Sequence, residues 1–217
     1  MKTDSELQTD VQDELKWWPG VNESQIGVTA KDGIIALTGR VEHYAEKIAA
    51  EDAAKCVYGV KGLANEIEVE LPALHERDDQ DIVKAALNAL KWDYSVPSDK
   101  LTVIVKNGWL TLEGTVDWQY QKDAANRCVQ NLMGVAMVSN HIKLKPVTKW
   151  IDVKSKIEDA FRRNSDIEAR RITVTSKNGA VTLKGSVASW AEKNTAVWAA
   201  WSAPGVISVA DELAVVP

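Results

Sequence analysis

The stretch Lys31-Asp32-Gly33-Ile34-Ile35-Ala36-Leu37-Thr38-Gly39-Arg40-Val41 decides the fold, because it returns twice. It comes back as Lys106-Asn107-Gly108-Trp109-Leu110-Thr111-Leu112-Glu113-Gly114-Thr115-Val116, and again as Lys177-Asn178-Gly179-Ala180-Val181-Thr182-Leu183-Lys184-Gly185-Ser186-Val187. An Asp-Gly or Asn-Gly pair supplies the positive φ of a tight hairpin turn, and the alternating apolar residues after it give the second strand one buried face. A glycine inside that strand weakens it unless another part of the chain comes close there, so Gly39 predicts a close approach of sheet and helix.

The repeat extends outward in both directions. The same offsets carry Gly59-Val60 onto Gly134-Val135 and Gly205-Val206, and Asn65 onto Asn140 and Asp211. A period of this length with no gaps marks tandem modules, here 1–74, 75–148 and 149–217. Ahead of each hairpin an apolar residue recurs every fourth position: Leu7, Val11 and Leu15, then Ile82, Ala86 and Leu90, then Val153, Ile157 and Phe161. That spacing predicts a first helix with one apolar stripe. After each hairpin a second helix is expected, from about His43 to Tyr58 in the first module. Ser189 and Glu192 have capping-box spacing in the third, and Gly59 is expected to stop the helix as a C′ glycine. Ile67 and Val69 alternate on a last strand. The fold class is therefore α+β: three tandem two-layer α/β sandwich modules, each α-β-β-α-β, with two helices on one face of a small mixed sheet.

Composition narrows the function classes. The 217 residues are 45% hydrophobic and 26% charged, which fits a folded domain and not a disordered one. No apolar run approaches the roughly 20 residues of a membrane span, and the start of the chain lacks an apolar signal region. A cytoplasmic protein is the expectation, with a periplasmic or envelope-associated one the alternative if a leader is removed. Cys56 and Cys128 are too few for a disulfide framework and read as small core residues.

No catalytic constellation emerges. The chain has no G-x-S-x-G, P-loop, G-x-G-x-x-G or H-E-x-x-H, and His43, His75 and His141 stand apart without metal-ligand spacing. No enzyme activity, cofactor or metal is expected. Glu66, Glu68 and Glu70 share one strand face, read as solvated. Lys47, Lys122 and Lys193 recur early in the second helix, read as stems packed along it.

Charge and tryptophan point to binding instead. Residues 4–72 carry 14 acidic and 6 basic side chains, residues 73–146 carry 9 of each, and residues 147–217 carry 8 acidic and 10 basic. The gradient favours head-to-tail self-association. Arg162, Arg163, Arg170 and Arg171 concentrate the positive end and are candidates to grip phosphate head groups, with anionic phospholipid a possible partner. Nucleic acid is not expected as a partner, given the net charge of -5. The outward face of each hairpin, with Thr29, Ile34, Ala36 and Thr38 in the first module and Ile104 and Trp109 in the second, is too apolar for plain solvent. It reads as a surface where modules pack on one another or on a second chain. On the third second helix Ala196, Ala199 and Ala203 centre on the buried side, while Trp190, Trp198 and Trp201 lie nearly opposite. The stripe is either packed against a neighbouring module or part of an intermolecular or membrane-facing patch. Trp109 and Trp118 join it as contact candidates.

The pattern Lys-[Asp/Asn]-Gly, Leu-x-Gly-x-Val, an Ala-rich helix ending in Gly-Val, and Asn-x-Ile-x-Val resembles the BON domain, whose name stands for bacterial OsmY and nodulation. The resemblance covers nearly the whole chain in triplicate. It implies an α/β sandwich, a non-enzymatic role, interaction with phospholipid or the envelope, and a link to osmotic or envelope stress. Many relatives are exported. The family's motif residues are structural, so the resemblance carries over no catalyst.

Overall fold

In a computed structural model, residues 2–72, 77–145, 152–164 and 167–216 are described. The hairpins set the geometry. Asp32, Asn107 and Asn178 have φ of 53°, 50° and 52°, and Gly33, Gly108 and Gly179 have φ of 82°, 73° and 81°. Two successive positive φ values make the turn whose twist matches the flanking strands. Its backbone is also tied down. The Asp4 carboxylate accepts the N–H groups of Asp32 (3.0 Å) and Gly33 (3.2 Å), and Asp79 accepts those of Asn107 (2.8 Å) and Gly108 (3.0 Å).

The first module runs α1 (Asp4–Trp17), β1 (Ile26–Lys31), β2 (Ile34–Val41), α2 (Tyr44–Cys56) and β3 (Gly62–Val69). The second runs α3 (Asp79–Trp92), β4 (Leu101–Lys106), β5 (Trp109–Val116), α4 (Gln119–Gln130), then β6 (Met137–Asn140) and β7 (Lys143–Leu144), two halves of one last strand along β5. The third runs α5 (Val153–Arg163), β8 (Ile172–Lys177), β9 (Ala180–Val187), α6 (Trp190–Trp201) and β10 (Ser208–Val215). In each sheet the hairpin pair is antiparallel and the last strand lies parallel to the middle one. The sheet is therefore mixed, as expected. All nine apolar residues read from the first-helix stripes are buried.

Three local expectations need correction. The close approach at Gly39, Gly114 and Gly185 is not to a long helix. A Cβ there would collide with the backbone carbonyl of Gln25, Lys100 or Arg171, where a single 3-10 turn enters the first strand. Gly59 does not stop the helix either: α2 ends at Cys56, and Gly59, with φ of 102°, shapes the turn beyond it. Cys56 is exposed instead of core, at the last residue of α2.

Repeated side-chain clamps join the last strand to the second helix. Asn65 donates to the Lys47 carbonyl (3.3 Å) and accepts from the Ile67 N–H (3.3 Å); Asn140 does the same with Lys122 (3.0 Å) and Ile142 (3.2 Å). Lys47 and Lys193 reach across to donate to the Ile67 and Leu213 carbonyls at 2.7 Å. Those two lysines cross from the second helix to the last strand, where the expectation had their stems packed along the helix.

Each module keeps its own core. The modules do not pack through the backs of their sheets. Ile34, Ile104 and Trp109 there are about half exposed, at 54%, 47% and 51%. Contact between modules runs through the second helices instead, so the sheets face outward. Tyr44, first residue of α2, packs against the core of the second module. Trp190, first residue of α6, packs against the core of the first. The first turn of α4 faces the last turn of α6 across a cleft. Module one thus leans on two, two on three, and three on one. A head-to-tail contact that returns to its start closes a ring, here within a single chain.

Candidate functional site: the seams of the ring

Tyr44, Gln119 and Trp190 occupy the same position of the repeat, so each seam has a corresponding plug. Tyr44 is half-buried; desolvation raises its phenol above the usual range, opposed in part by a hydrogen bond with the Val138 backbone of the second module. Trp190 is the larger plug. Its indole Nε1 is buried without a hydrogen-bond partner among the described residues, and Lys193 Nζ lies 5.0 Å from the ring centroid. Gln119 is the short one, and its amide turns back on its own helix to donate to Asp123 Oδ1 at 2.8 Å.

The seam that Gln119 fails to fill is an aromatic cleft of about 560 Å³, lined by Trp118, Tyr120, Trp198 and Trp201 with Gln119, Asp123 and Ser202. The corresponding cleft between modules one and two, about 530 Å³, has His43 where this one has Trp118, Ala45 for Tyr120, Ile48 for Asp123 and Gln130 for Trp201. Similar space is therefore walled by quite different chemistry.

The tryptophan stripe of α6 divides into three fates. Trp190 is an intrachain plug, which answers its alternatives in favour of packing against a neighbouring module. Trp201 is half-buried against its own module's core. Trp198 is 65% exposed and stands at the mouth of the cleft. Trp118 sits across from it as the residue before α4. Trp109 lies elsewhere, on the back of the second sheet, where its Nε1 donates to Ser139 Oγ at 2.9 Å. Sequence reasoning missed the plug column and Tyr120; aligning the first residue of each second helix would have found the former.

The four arginines are all exposed, and two of them have carboxylate partners. Arg162 pairs with Asp159 at 3.0 Å and Arg171 with Glu168 at 2.9 Å. Two of the three strand-face carboxylates pair as well, with Arg40 reaching Glu70 at 3.0 Å and Glu68 at 3.7 Å. His75 falls outside the described residues. Among the described residues no three ligand-type side chains are grouped to hold a metal, and no helix is long and apolar enough to cross a membrane.

One feature of the ring was invisible in the stripes. The first helices end at Trp17, Trp92 and Arg163, three equivalent positions of the repeat. Trp17 and Trp92 are 80% and 82% exposed, and Arg163 is exposed too. All three are solvent-facing ends of equivalent first helices.

Cys128 illustrates how inert the half-buried polar groups are. Its thiol donates to Asp93 Oδ2 at 3.4 Å, and burial together with that carboxylate pushes its pKa up to about 11. The thiolate is the reactive form, so its fraction at pH 8 is about one in a thousand. Alkylation with iodoacetamide at pH 8 is expected to label Cys56 and leave Cys128 unmodified in the folded protein. Equal labelling of the two would contradict this environment.

Comparison with known proteins fits this architecture. The BON domain matches three times, at residues 3–70, 78–146 and 152–217. The chain is 30% identical over 156 residues to the Osmotically-inducible protein Y of Escherichia coli (strain K12), covering 65% of this chain and 73% of that one. Two structures of CdsD, a structural protein of the type III secretion system of Chlamydia trachomatis, align at 15% and 14% identity. They cover 96% and 100% of this chain and 91% and 100% of theirs, with a TM-score of 0.27 in both cases, too low to carry an argument. With three matched domains, each on one of the three sheets and its two helices, the chain belongs to the BON-domain family.

Proposed function

We propose that this chain is a non-enzymatic binding and assembly protein of the stress response that acts at the cell envelope, on phospholipid surfaces, as a homo-oligomer. The observation that carries the reading is the exposure of the first-helix ends. Two tryptophans stand almost wholly in solvent at equivalent helix ends, and arginines hold the third. Indole and guanidinium are the side chains suited to a membrane–water boundary, the one amphipathic and the other able to fork onto phosphate. The exposed sheet backs, with Ile34, Ile104, Trp109 and Met137, supply apolar area for self-association. The name of the Escherichia coli relative supports the stress-response part.

Co-sedimentation with vesicles tests the membrane reading. Binding is expected to anionic vesicles and less to neutral ones, with Trp17→Ala/Trp92→Ala weakening it roughly tenfold, since even partial burial of each ring at about 25 cal/mol per Å² is worth a kilocalorie or more. Melting temperature should not move, because both rings are already exposed. A protein that sediments with neither vesicle belongs to the second reading, a soluble stress-response scaffold that binds a protein or small ligand. The aromatic seam is what favours that reading.

A further inference from the structure

We infer that the cleft between α4 and α6 is a cage for a small soluble organic cation of the quaternary or methylated ammonium class. Four aromatic rings line it, Trp118 and Tyr120 from one module and Trp198 and Trp201 from the next. Ring faces carry negative potential, and a cation placed among them is attracted without hydrogen bonds. The lining holds one carboxylate, Asp123, and no basic side chain. Gln119 occupies Oδ1 of that carboxylate, while no hydrogen bond from a described residue reaches Oδ2. Burial raises the Asp123 pKa, with Gln119, Arg127 and Lys122 opposing the shift, and neither of those two cations lines the cleft. A bound cation would restore what burial takes from the carboxylate.

The ligand class follows from what the wall lacks. Among the lining side chains only Asp123, Gln119, Ser202 and the Tyr120 hydroxyl can accept a hydrogen bond, and the indole N–H groups can only donate, so most of the wall cannot replace the hydration of a primary ammonium or guanidinium. A methylated ammonium has little hydration to lose and suits an aromatic wall. The space, about 560 Å³, is of small-ligand size. The first seam serves as an internal control. At the positions of Trp118, Tyr120 and Trp201 it has His43, Ala45 and Gln130, and at that of Asp123 it has Ile48, so ring closure alone does not require a cage.

The test titrates the full-length protein with tetramethylammonium and choline, followed by tryptophan fluorescence and calorimetry. The control is 3,3-dimethylbutanol, the uncharged isostere of choline. Both cations should bind saturably and the isostere at least about tenfold more weakly, the discrimination expected of a desolvated cation–aromatic contact. Trp198→Ala, at a ring 65% exposed, should lower cation affinity by a similar factor with no change in melting temperature. Asp123→Asn should weaken the cations and leave the isostere unchanged. Equal affinity for the isostere, an Asn variant that binds cations like the parent, or no saturable binding overturns the assignment. So does binding only to vesicles with choline head groups, since the free cation then plays no part. The Trp17→Ala/Trp92→Ala variant should bind the cations normally, so failure of the membrane reading and failure of this one are told apart.

Discussion

Gly114→Ala is expected to unfold the second module. The added Cβ would drive into the Lys100 backbone carbonyl, and neither atom has a flexible end that could swing away. The residue also sits at φ of 138°, a conformation that costs an L side chain energy before any collision. A loss of about 3 kcal/mol or more is the expected scale, as for other substitutions at special backbone positions. Gly20→Ala is the control. Its φ of 85° is also positive, but nothing lies within 4 Å of the new methyl, so only the backbone cost of about 1–2 kcal/mol should appear. Urea unfolding of the two variants separates collision from conformation. Equal losses would mean that the strand and the 3-10 turn can move apart cheaply.

The second large effect is at the seam between modules three and one. Trp190→Ala should remove the plug and cost about 2–3 kcal/mol, somewhat below a fully buried Trp→Ala because the ring is only partly buried. Trp190→Phe should lose far less. It keeps a ring in the seam and removes the indole N–H that is buried without a partner, whose burial carries a penalty of about 1–3 kcal/mol. Unfolding curves should also change shape in the Ala variant, since a ring opened at one seam lets the modules melt separately. An Ala variant as stable as the parent would show that Trp190 merely rests on the first module. Replacing the other two tryptophans by their second-module counterparts should give unequal results. Trp198→Arg leaves stability unchanged, whereas Trp201→Gln costs roughly 1–2 kcal/mol, because only Trp201 packs on a core.

That inequality shows where the sequence stops. Trp190, Trp198 and Trp201 share one arc of one helix, and the helical period places all three opposite the alanines. One ends in another module's core, one against its own, and one in solvent. The period fixes direction from the helix axis, but what stands in that direction is set by a partner about 150 residues away in the chain. Of the two readings of the sheet backs, packing of module on module fails for the same reason. Their half-apolar composition resembles an interface, yet the helix faces had already taken the intrachain contacts, leaving Ile34, Ile104 and Trp109 outside.

What the sequence alone determined was everything enforced within a few residues or within one module. The type of turn at Asp32-Gly33, the burial of Leu7, Val11 and Leu15, the Ser189–Glu192 cap and the α-β-β-α-β order of elements follow from local backbone limits and apolar period, and three copies made each signal legible. The tertiary structure alone decided the ring: which plug enters which core, the pairing of α4 with α6 into one aromatic cleft, and the exposure of Trp17 and Trp92 at the helix ends. Those depend on how three similar bodies close on one another. Closure is a balance of contacts between distant surfaces, and no periodicity along the chain encodes it.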